Sequence, residues 1–81
     1  MRFPFTLEAQ TQLRAMDRAA ALRILEAIAR HGSTSAGDVE PMHGESQGCY
    51  RLRVGEYRVI FRRIVDGLEI LTVGHRSDVY G

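Results

Sequence analysis

The sequence predicts an α+β fold in which an N-terminal helical hairpin packs on a small antiparallel β-sheet, with a short first strand and a C-terminal three-stranded meander. Two observations predict it. Apolar residues recur at helical spacing up to Gly32, and after residue 48 apolar and polar residues alternate between two tight-turn signals. Because 81 residues form only one small hydrophobic core, we expect a single domain over residues 1–81.

The first half of the chain predicts a brief strand and two helices. Residues 2–5, RFPF, are aromatic, and Pro4 cannot donate within a sheet, so we expect a short strand at an edge. Thr6 and Asp17 are suited to cap two successive helices, and Gly32 to end the second. The apolar positions of the two helices are Ala9, Leu13 and Met16, then Ala21, Ile24, Leu25 and Ile28. One straight helix remains the alternative.

The second half predicts a connecting loop and then three strands. Residues 31–48 are rich in Gly and Ser and show no period, which indicates a loop. Residues 50–54 and 57–64 alternate around a two-residue Gly-Glu turn, and an Asp-Gly turn then leads into residues 68–73. We therefore expect an antiparallel meander that bends or ends near Gly74.

The first tight turn fixes which residues share a face of the sheet. If Gly55 and Glu56 alone form the loop, Arg53 lies opposite Arg58. The predicted core face carries Tyr50, Leu52, Val54, Tyr57, Val59 and Phe61, and the opposite face carries Arg51, Arg53, Arg58 and Arg62 around Ile60. On the third strand, alternation places Ile70 on the core face and Leu71 and Val73 on the arginine face.

Positive charge is local in this chain. The formal net charge is only +1, and all eleven Lys and Arg positions are Arg. Five arginines and one glutamate between Cys49 and Arg63 nevertheless give that segment +4. Like charges at Arg53 and Arg58, about 5 Å apart, are unfavourable, which predicts an anion-binding face. The alternative is that the arginines only keep an exposed face soluble, with Glu56 and Glu69 as partial partners.

Several classes of site are not expected. Cys49 is a single cysteine, so no intramolecular disulfide can form. No two of His31, His43, His75 and Cys49 lie at metal-ligand spacing, and the chain contains no glycine-rich phosphate loop, so we expect no metal and no cofactor. The sequence contains neither a secretory core nor an apolar run of membrane-spanning length, which makes a cytoplasmic location the default expectation.

An arginine-rich face suits cleavage of RNA by its own 2′-hydroxyl. Guanidinium groups neutralise charge that develops on phosphate, but they rarely release a proton, so the base must be another residue. Tyr80 is one candidate if neighbouring guanidinium groups stabilise its phenolate, and His75 is a second. Both can equally be structural, Tyr80 by packing the C-terminus and His75 by bonding a backbone carbonyl.

Two stretches of the chain resemble a known superfamily. VEPMHGESQGCYRLRVGEYRVIFRR and VGHRSDVY, within residues 39–80, are similar to the RelE/ParE superfamily of bacterial toxins, and more to its RelE-like branch. The resemblance implies a RelE-like fold, a cognate antitoxin, and a ribosome-dependent endoribonuclease that cleaves mRNA and so inhibits translation. It implies contact with DNA only through the antitoxin.

The resemblance also implies roles for five residues. Arg58, Arg76 and Tyr80 are the expected catalytic residues, and Arg51 and Arg53 are expected to bind RNA phosphate. Well-known members have lysine at some of these positions, so a step in which lysine releases a proton is not expected here. The alternatives are a ParE-like toxin that inhibits DNA gyrase without cutting RNA and a degenerate member that only binds its antitoxin.

The antitoxin has two expected docking surfaces. One is the partly apolar outer face of the sheet at Leu71 and Val73, and the other is the exposed side of the helices.

Overall fold

The computed structural model describes residues 1–79, except for the side chain of Val79. Two N-terminal helices pack on a four-stranded antiparallel sheet of order β1-β2-β3-β4, which confirms the predicted α+β class and the meander. The elements are α1 (Leu7–Ala15), α2 (Arg18–Thr34), β1 (Asp38–Pro41), a 3₁₀ turn (Gly44–Ser46), β2 (Cys49–Val54), β3 (Tyr57–Ile64), β4 (Gly67–His75) and α3 (Arg76–Val79). No helix within the described residues is long and apolar enough to cross a membrane.

Both predicted N-caps are confirmed, so the alternative of one straight helix is wrong. The Thr6 hydroxyl accepts a hydrogen bond from the amide of Ala9 at 3.1 Å, and the Asp17 carboxylate accepts one from Ala20 at 3.2 Å. The predicted C-cap is wrong. Helix α2 continues past Gly32 to Thr34, and its C-cap is Ser35, which adopts the left-handed conformation with φ 61°.

Gly32 allows close packing of the N-terminal segment. A Cβ at this position would lie 2.6 Å from Cζ of Phe3 and 2.7 Å from Sδ of Met1, so these side chains would have to shift. The aromatic ring of the N-terminal segment therefore rests directly on the backbone of α2. The sequence predicts a C-cap at Gly32 because a helix C-cap and a close packing contact both favour glycine, the smallest residue.

The N-terminal segment is extended, but it forms isolated bridges in place of the predicted strand. Arg2 bridges Gly67 and Phe5 bridges Ile70, both parallel to β4. The carbonyl of Pro4 accepts a hydrogen bond from the amide of Ile70 at 2.8 Å, which uses the one backbone group that proline retains. A Cβ on Gly67 would lie 1.9 Å from the carbonyl oxygen of Arg2, so this approach requires glycine.

The region expected to be a loop contains strand β1. It pairs antiparallel with β2, and Asp38 lies opposite Arg53 while Glu40 lies opposite Arg51. The strand is only four residues long and its acidic positions are exposed, so the sequence carried little apolar alternation to indicate it. The sheet therefore gains two carboxylates beside its arginines.

The predicted side assignment of Val73 is wrong because β4 contains a bulge. Phe61 pairs with Ile70, whereas Ile60 pairs with Thr72, which leaves Leu71 as the extra residue. Beyond the bulge the alternation is inverted, so Val73 lies in the core at 1% exposure. Ile70 is on the core face as predicted, and β4 continues past Gly74 to His75.

The hydrophobic core lies between the helices and the predicted face of the hairpin. Its buried residues are Ala9, Ile24, Ile28, Leu52, Val59, Phe61, Leu68, Ile70 and Val73, with Tyr50, Val54 and Tyr57 partly buried against them. Apolar burial supplies most of the stability of a chain this small, and the arginine side of the sheet faces away from this core.

Candidate anion-binding site on the outer face of the sheet

The β2–β3 hairpin has the predicted register. Arg53 lies opposite Arg58, and Arg51 lies opposite Ile60, on the face away from the helices. An open pocket of about 200 Å³, here called the arginine pocket, is lined by Asp38, Glu40, Arg51, Arg53 and Arg58. The structure thus brings three of the five predicted site residues together, with two carboxylates that the sequence analysis did not assign to the site.

Arg58 is buried and held in a fixed orientation. Its side chain is 5% exposed, and Nη1 donates hydrogen bonds to the carbonyl oxygens of Gly55 at 2.9 Å and Tyr57 at 2.8 Å. No polar side-chain atom among the described residues is buried without a partner, and Arg58 is one of the residues that line the arginine pocket. A guanidinium held in this way loses little entropy when an anion binds.

Arg51 is oriented by β1. Its Nη2 donates to Oε2 of Glu40 at 2.8 Å, and the Arg51 side chain is only 23% exposed. Cross-strand partners of opposite charge stabilise a sheet, and this pair also fixes where the guanidinium points. The sequence does not predict Glu40 as a site residue, because a segment expected to be a loop has no strand register that would place it beside Arg51.

Arg53 has a looser partner. Its Nη1 lies 3.7 Å from Oδ2 of Asp38, beyond hydrogen-bond distance, and both side chains are 59% exposed. Asp38 and Arg58 flank Arg53 on the two neighbouring strands. The carboxylate therefore offsets the like-charge contact between Arg53 and Arg58 that the sequence indicated.

Arg76 lies beside the hairpin turn and is not among the residues that line the arginine pocket. Its amide donates to the carbonyl of Glu56 at 2.8 Å, and its Nε lies 2.9 Å from Oε2 of the same residue. The adjacent Gly55 carbonyl holds Arg58, so one turn positions both arginines. Of the predicted partial neutralisers, Glu69 pairs with Arg62, while Glu56 pairs with Arg76. The predicted site residue Tyr80 lies outside the described residues.

His75, the second candidate base, is on the opposite side of the sheet from the arginines. It pairs with Tyr57 of the core face, and the two rings meet edge-on with centroids 6.0 Å apart. The amide of Ser77 donates to His75 Nδ1 at 3.2 Å, so the imidazole caps the start of α3. Among residues 1–79 no group of three or more His, Cys, Asp and Glu is arranged to hold a metal ion.

Comparison with known proteins identifies the family. The family described as the ParE toxin of the type II toxin-antitoxin system, parDE, matches residues 4–80. A search of curated proteins gave no significant match. Among solved structures, the RelB–RelE antitoxin–toxin complex of Methanococcus jannaschii is 22% identical with a TM-score of 0.76, covering 95% of this chain and 94% of that one.

Two further structures have the same fold. The YoeB/ParE toxin of Agrobacterium tumefaciens is 21% identical with a TM-score of 0.79, covering 94% of this chain and 99% of that one. The RelBE2 toxin–antitoxin complex of Mycobacterium tuberculosis is 25% identical with a TM-score of 0.73, covering 91% and 95%. Because the family match spans nearly the whole described chain, this protein belongs to the ParE toxin family of type II toxin-antitoxin systems, within the RelE/ParE superfamily.

Proposed function

We propose that this toxin is a ribosome-dependent endoribonuclease that cleaves mRNA and so inhibits translation. The observation that carries the proposal is Arg58, a buried guanidinium held by two turn carbonyls in the lining of the arginine pocket. Preorganised donors of this kind stabilise charge on a phosphate without reorganising during the reaction. A surface arginine that served only solubility would gain nothing from such burial.

The proposed reaction is an in-line attack within one RNA strand. The 2′-oxygen bonds to the adjacent phosphorus, and the bond from phosphorus to the 5′-oxygen breaks, leaving a 2′,3′-cyclic phosphate and a 5′-hydroxyl. Arg51 and Arg53 bind the phosphate, while Arg58 and Arg76 stabilise the charge that develops on it. The proton of the 2′-hydroxyl passes to a base, and the leaving 5′-oxygen takes up a proton.

Two kinds of group are candidates for the base. Tyr80 is the residue that the family resemblance implies. Within the arginine pocket the candidate is Glu40, because Arg51 orients its carboxylate. Tyr80→Phe and Glu40→Gln should therefore be compared in the same assay. The variant with the larger loss of cleavage at unchanged RNA binding identifies the base.

Inhibition of DNA gyrase is the second candidate function, because the family that matches is described as ParE. The deciding experiment is induced expression in cells, with primer-extension mapping of transcripts beside plasmid supercoiling. We expect new cuts inside translated codons, and in vitro cuts only when ribosomes are present. The cuts should be lost in Arg76→Ala and Tyr80→Phe. Loss of supercoiling without cuts would overturn the nuclease proposal, and no effect on either would indicate a degenerate member.

The partner we propose is a cognate antitoxin, through which alone the toxin would contact DNA. Solved relatives include toxin–antitoxin complexes. On this chain an open groove of about 390 Å³ between α1 and α2 is lined by Phe5, Gln10, Leu13, Arg14 and Leu25. Since Val73 is buried, the helices offer the better of the two predicted docking surfaces.

An apolar groove flanked by arginine suits an acidic amphipathic segment. The test is co-purification of the toxin with the product of the neighbouring reading frame. We expect Leu25→Asp to abolish the complex, whereas Val65→Asp, an exposed change in the β3–β4 turn, should retain it. Equal retention by both variants would exclude the groove as the docking site.

A further inference from the structure

The arginines of the candidate site are not equally available to a substrate. Arg51, Arg53 and Arg76 each carry a carboxylate partner, respectively Glu40, Asp38 and Glu56. Among the described residues, Arg58 has backbone carbonyl partners only. An incoming phosphate therefore has no carboxylate partner to displace at Arg58, but at the other positions it meets a carboxylate already in place.

We propose that Asp38 is an internal competitor of the substrate phosphate for Arg53, and that it thereby limits the affinity of the arginine pocket for phosphodiester anions. The proposal rests on the proposed function, since it assumes that the pocket receives RNA. The role it assigns to Asp38 is to set specificity through the strength with which the pocket binds phosphate. Asp38 takes no part in proton transfer.

The geometry separates Asp38 from Glu40. Glu40 forms a 2.8 Å hydrogen bond to an Arg51 side chain that is 23% exposed, so that pair is ordered and positions the arginine. Asp38 stands 3.7 Å from an Arg53 side chain that is 59% exposed, and water competes for both partners. The looser pair is the one that a phosphate can replace.

Displacement of Asp38 has two consequences for binding. Phosphate oxygens and a carboxylate need the same guanidinium donors, so each phosphate bound at Arg53 leaves Asp38 without its partner. The freed carboxylate also repels the phosphate across a short distance. Because Asp38 cancels the charge of Arg53, the wild type neutralises in effect about one RNA phosphate fewer than a variant that lacks this carboxylate.

The direct test is Asp38→Asn, with Glu45→Gln as the matched control. Glu45 is an exposed carboxylate on the 3₁₀ turn, outside the arginine pocket, and its substitution changes the net charge by the same amount. Inorganic phosphate is titrated while the Nε–H resonance of Arg53 is followed by NMR. We expect Asp38→Asn to bind phosphate about two- to fivefold more tightly than the wild type, the range an exposed ion pair supports.

A second probe is a short RNA with 2′-O-methyl groups, which cannot be cleaved. Its affinity should rise in Asp38→Asn, and the slope of log affinity against log salt should steepen by about 0.7. Glu45→Gln should change neither quantity. In an Arg53→Gln background Asp38→Asn should have a smaller effect, because the ion pair is already broken and only the repulsion between carboxylate and phosphate is removed. Asp38→Ala should reproduce Asp38→Asn if the carboxylate is responsible.

Three results would overturn the proposal. They are equal tightening in Asp38→Asn and Glu45→Gln, weaker binding in Asp38→Asn, and no phosphate-dependent shift at Arg53 in any variant. The nuclease function is decided separately by transcript cleavage. Tighter phosphate binding in Asp38→Asn together with an absence of cleavage by the wild type would support the competition at Arg53 and reject the nuclease.

Discussion

Arg76 is bound to Glu56 twice, through its amide to the Glu56 carbonyl at 2.8 Å and through Nε to Oε2 at 2.9 Å. These contacts join the start of α3 to the β2–β3 turn. Gly55 in the same turn holds Arg58, so two arginines that are distant in sequence share one support. The relative placement of the two proposed catalytic arginines therefore depends on a two-residue turn.

Substitutions at Arg76 and Glu56 should separate catalysis from stability. The two side chains are 56% and 64% exposed, so Glu56→Gln and Arg76→Ala should each lower the free energy of unfolding by only about 0.2–1 kcal/mol. Transcript cleavage should fall by about 10²–10³ in Arg76→Ala, as expected for a lost transition-state contact, and by less than about tenfold in Glu56→Gln. If Arg76→Ala and Glu56→Gln lose the same cleavage activity when they are compared at equal stability to urea, Arg76 has a structural role.

Arg58→Lys should damage the protein far more than Arg53→Lys. Lysine keeps the charge at position 58, but the nitrogen that reaches both turn carbonyls, Nη1, belongs to a rigid planar group that a flexible ammonium does not reproduce at a site only 5% exposed. We expect a loss of about 1–3 kcal/mol in unfolding free energy, measured by urea denaturation, against less than about 0.5 kcal/mol for the exposed Arg53. An Arg58→Lys variant as stable as the wild type would show that the hydrogen bonds to the turn carbonyls do not hold the guanidinium in place.

Gly32→Ala should destabilise the protein although alanine is the better helix former. The added methyl group would meet the Phe3 ring at 2.6 Å, and overpacking of this kind costs about 1–3 kcal/mol. Phe3→Leu in the same chain should recover part of the loss, which a thermodynamic cycle measures. Ser33→Ala on the exposed side of α2 is the control and should be nearly neutral. Additive effects of Gly32→Ala and Phe3→Leu would contradict the proposed contact.

Thr6→Ala should cost more than the loss of an ordinary helix cap. The Thr6 hydroxyl accepts from the Ala9 amide and also donates to the Leu71 carbonyl at 2.7 Å, beside the bulge in β4. Loss of a cap alone costs about 0.5–2 kcal/mol, which we expect for Asp17→Ala. Thermal unfolding should rank Thr6→Ala below Asp17→Ala, with Thr6→Ser close to the wild type. The reverse ranking would indicate that the bond to Leu71 contributes nothing.

The hairpin shows how far local sequence can predict the site. A two-residue turn at Gly55 and Glu56 fixes the register by chain connectivity, so the opposition of Arg53 and Arg58 followed from the sequence. The caps at Thr6 and Asp17 were predicted for the same reason, since each acts within its own turn of backbone. Features determined within a few residues of one another were therefore predictable.

Strand β1 and the bulge at Leu71 were not predictable in this way. A short acidic segment becomes a strand because β2 offers it a free edge and arginine partners, and neither is visible from the segment itself. The extra residue in β4 inverts the alternation beyond it, which moves Val73 into the core. Both errors arise because the decisive contacts join residues far apart in the chain.

The sequence by itself determined the α+β class, the hairpin register and a face rich in arginine, because periodicity and turn chemistry act locally. Only the tertiary structure decided which arginines are held in place and which groups hold them. It placed Asp38 beside Arg53 and Glu40 beside Arg51. It also buried Arg58 against the Gly55-Glu56 turn and paired Arg76 with Glu56. Ion pairs between strands depend on which edges meet, and that depends on how the whole chain packs.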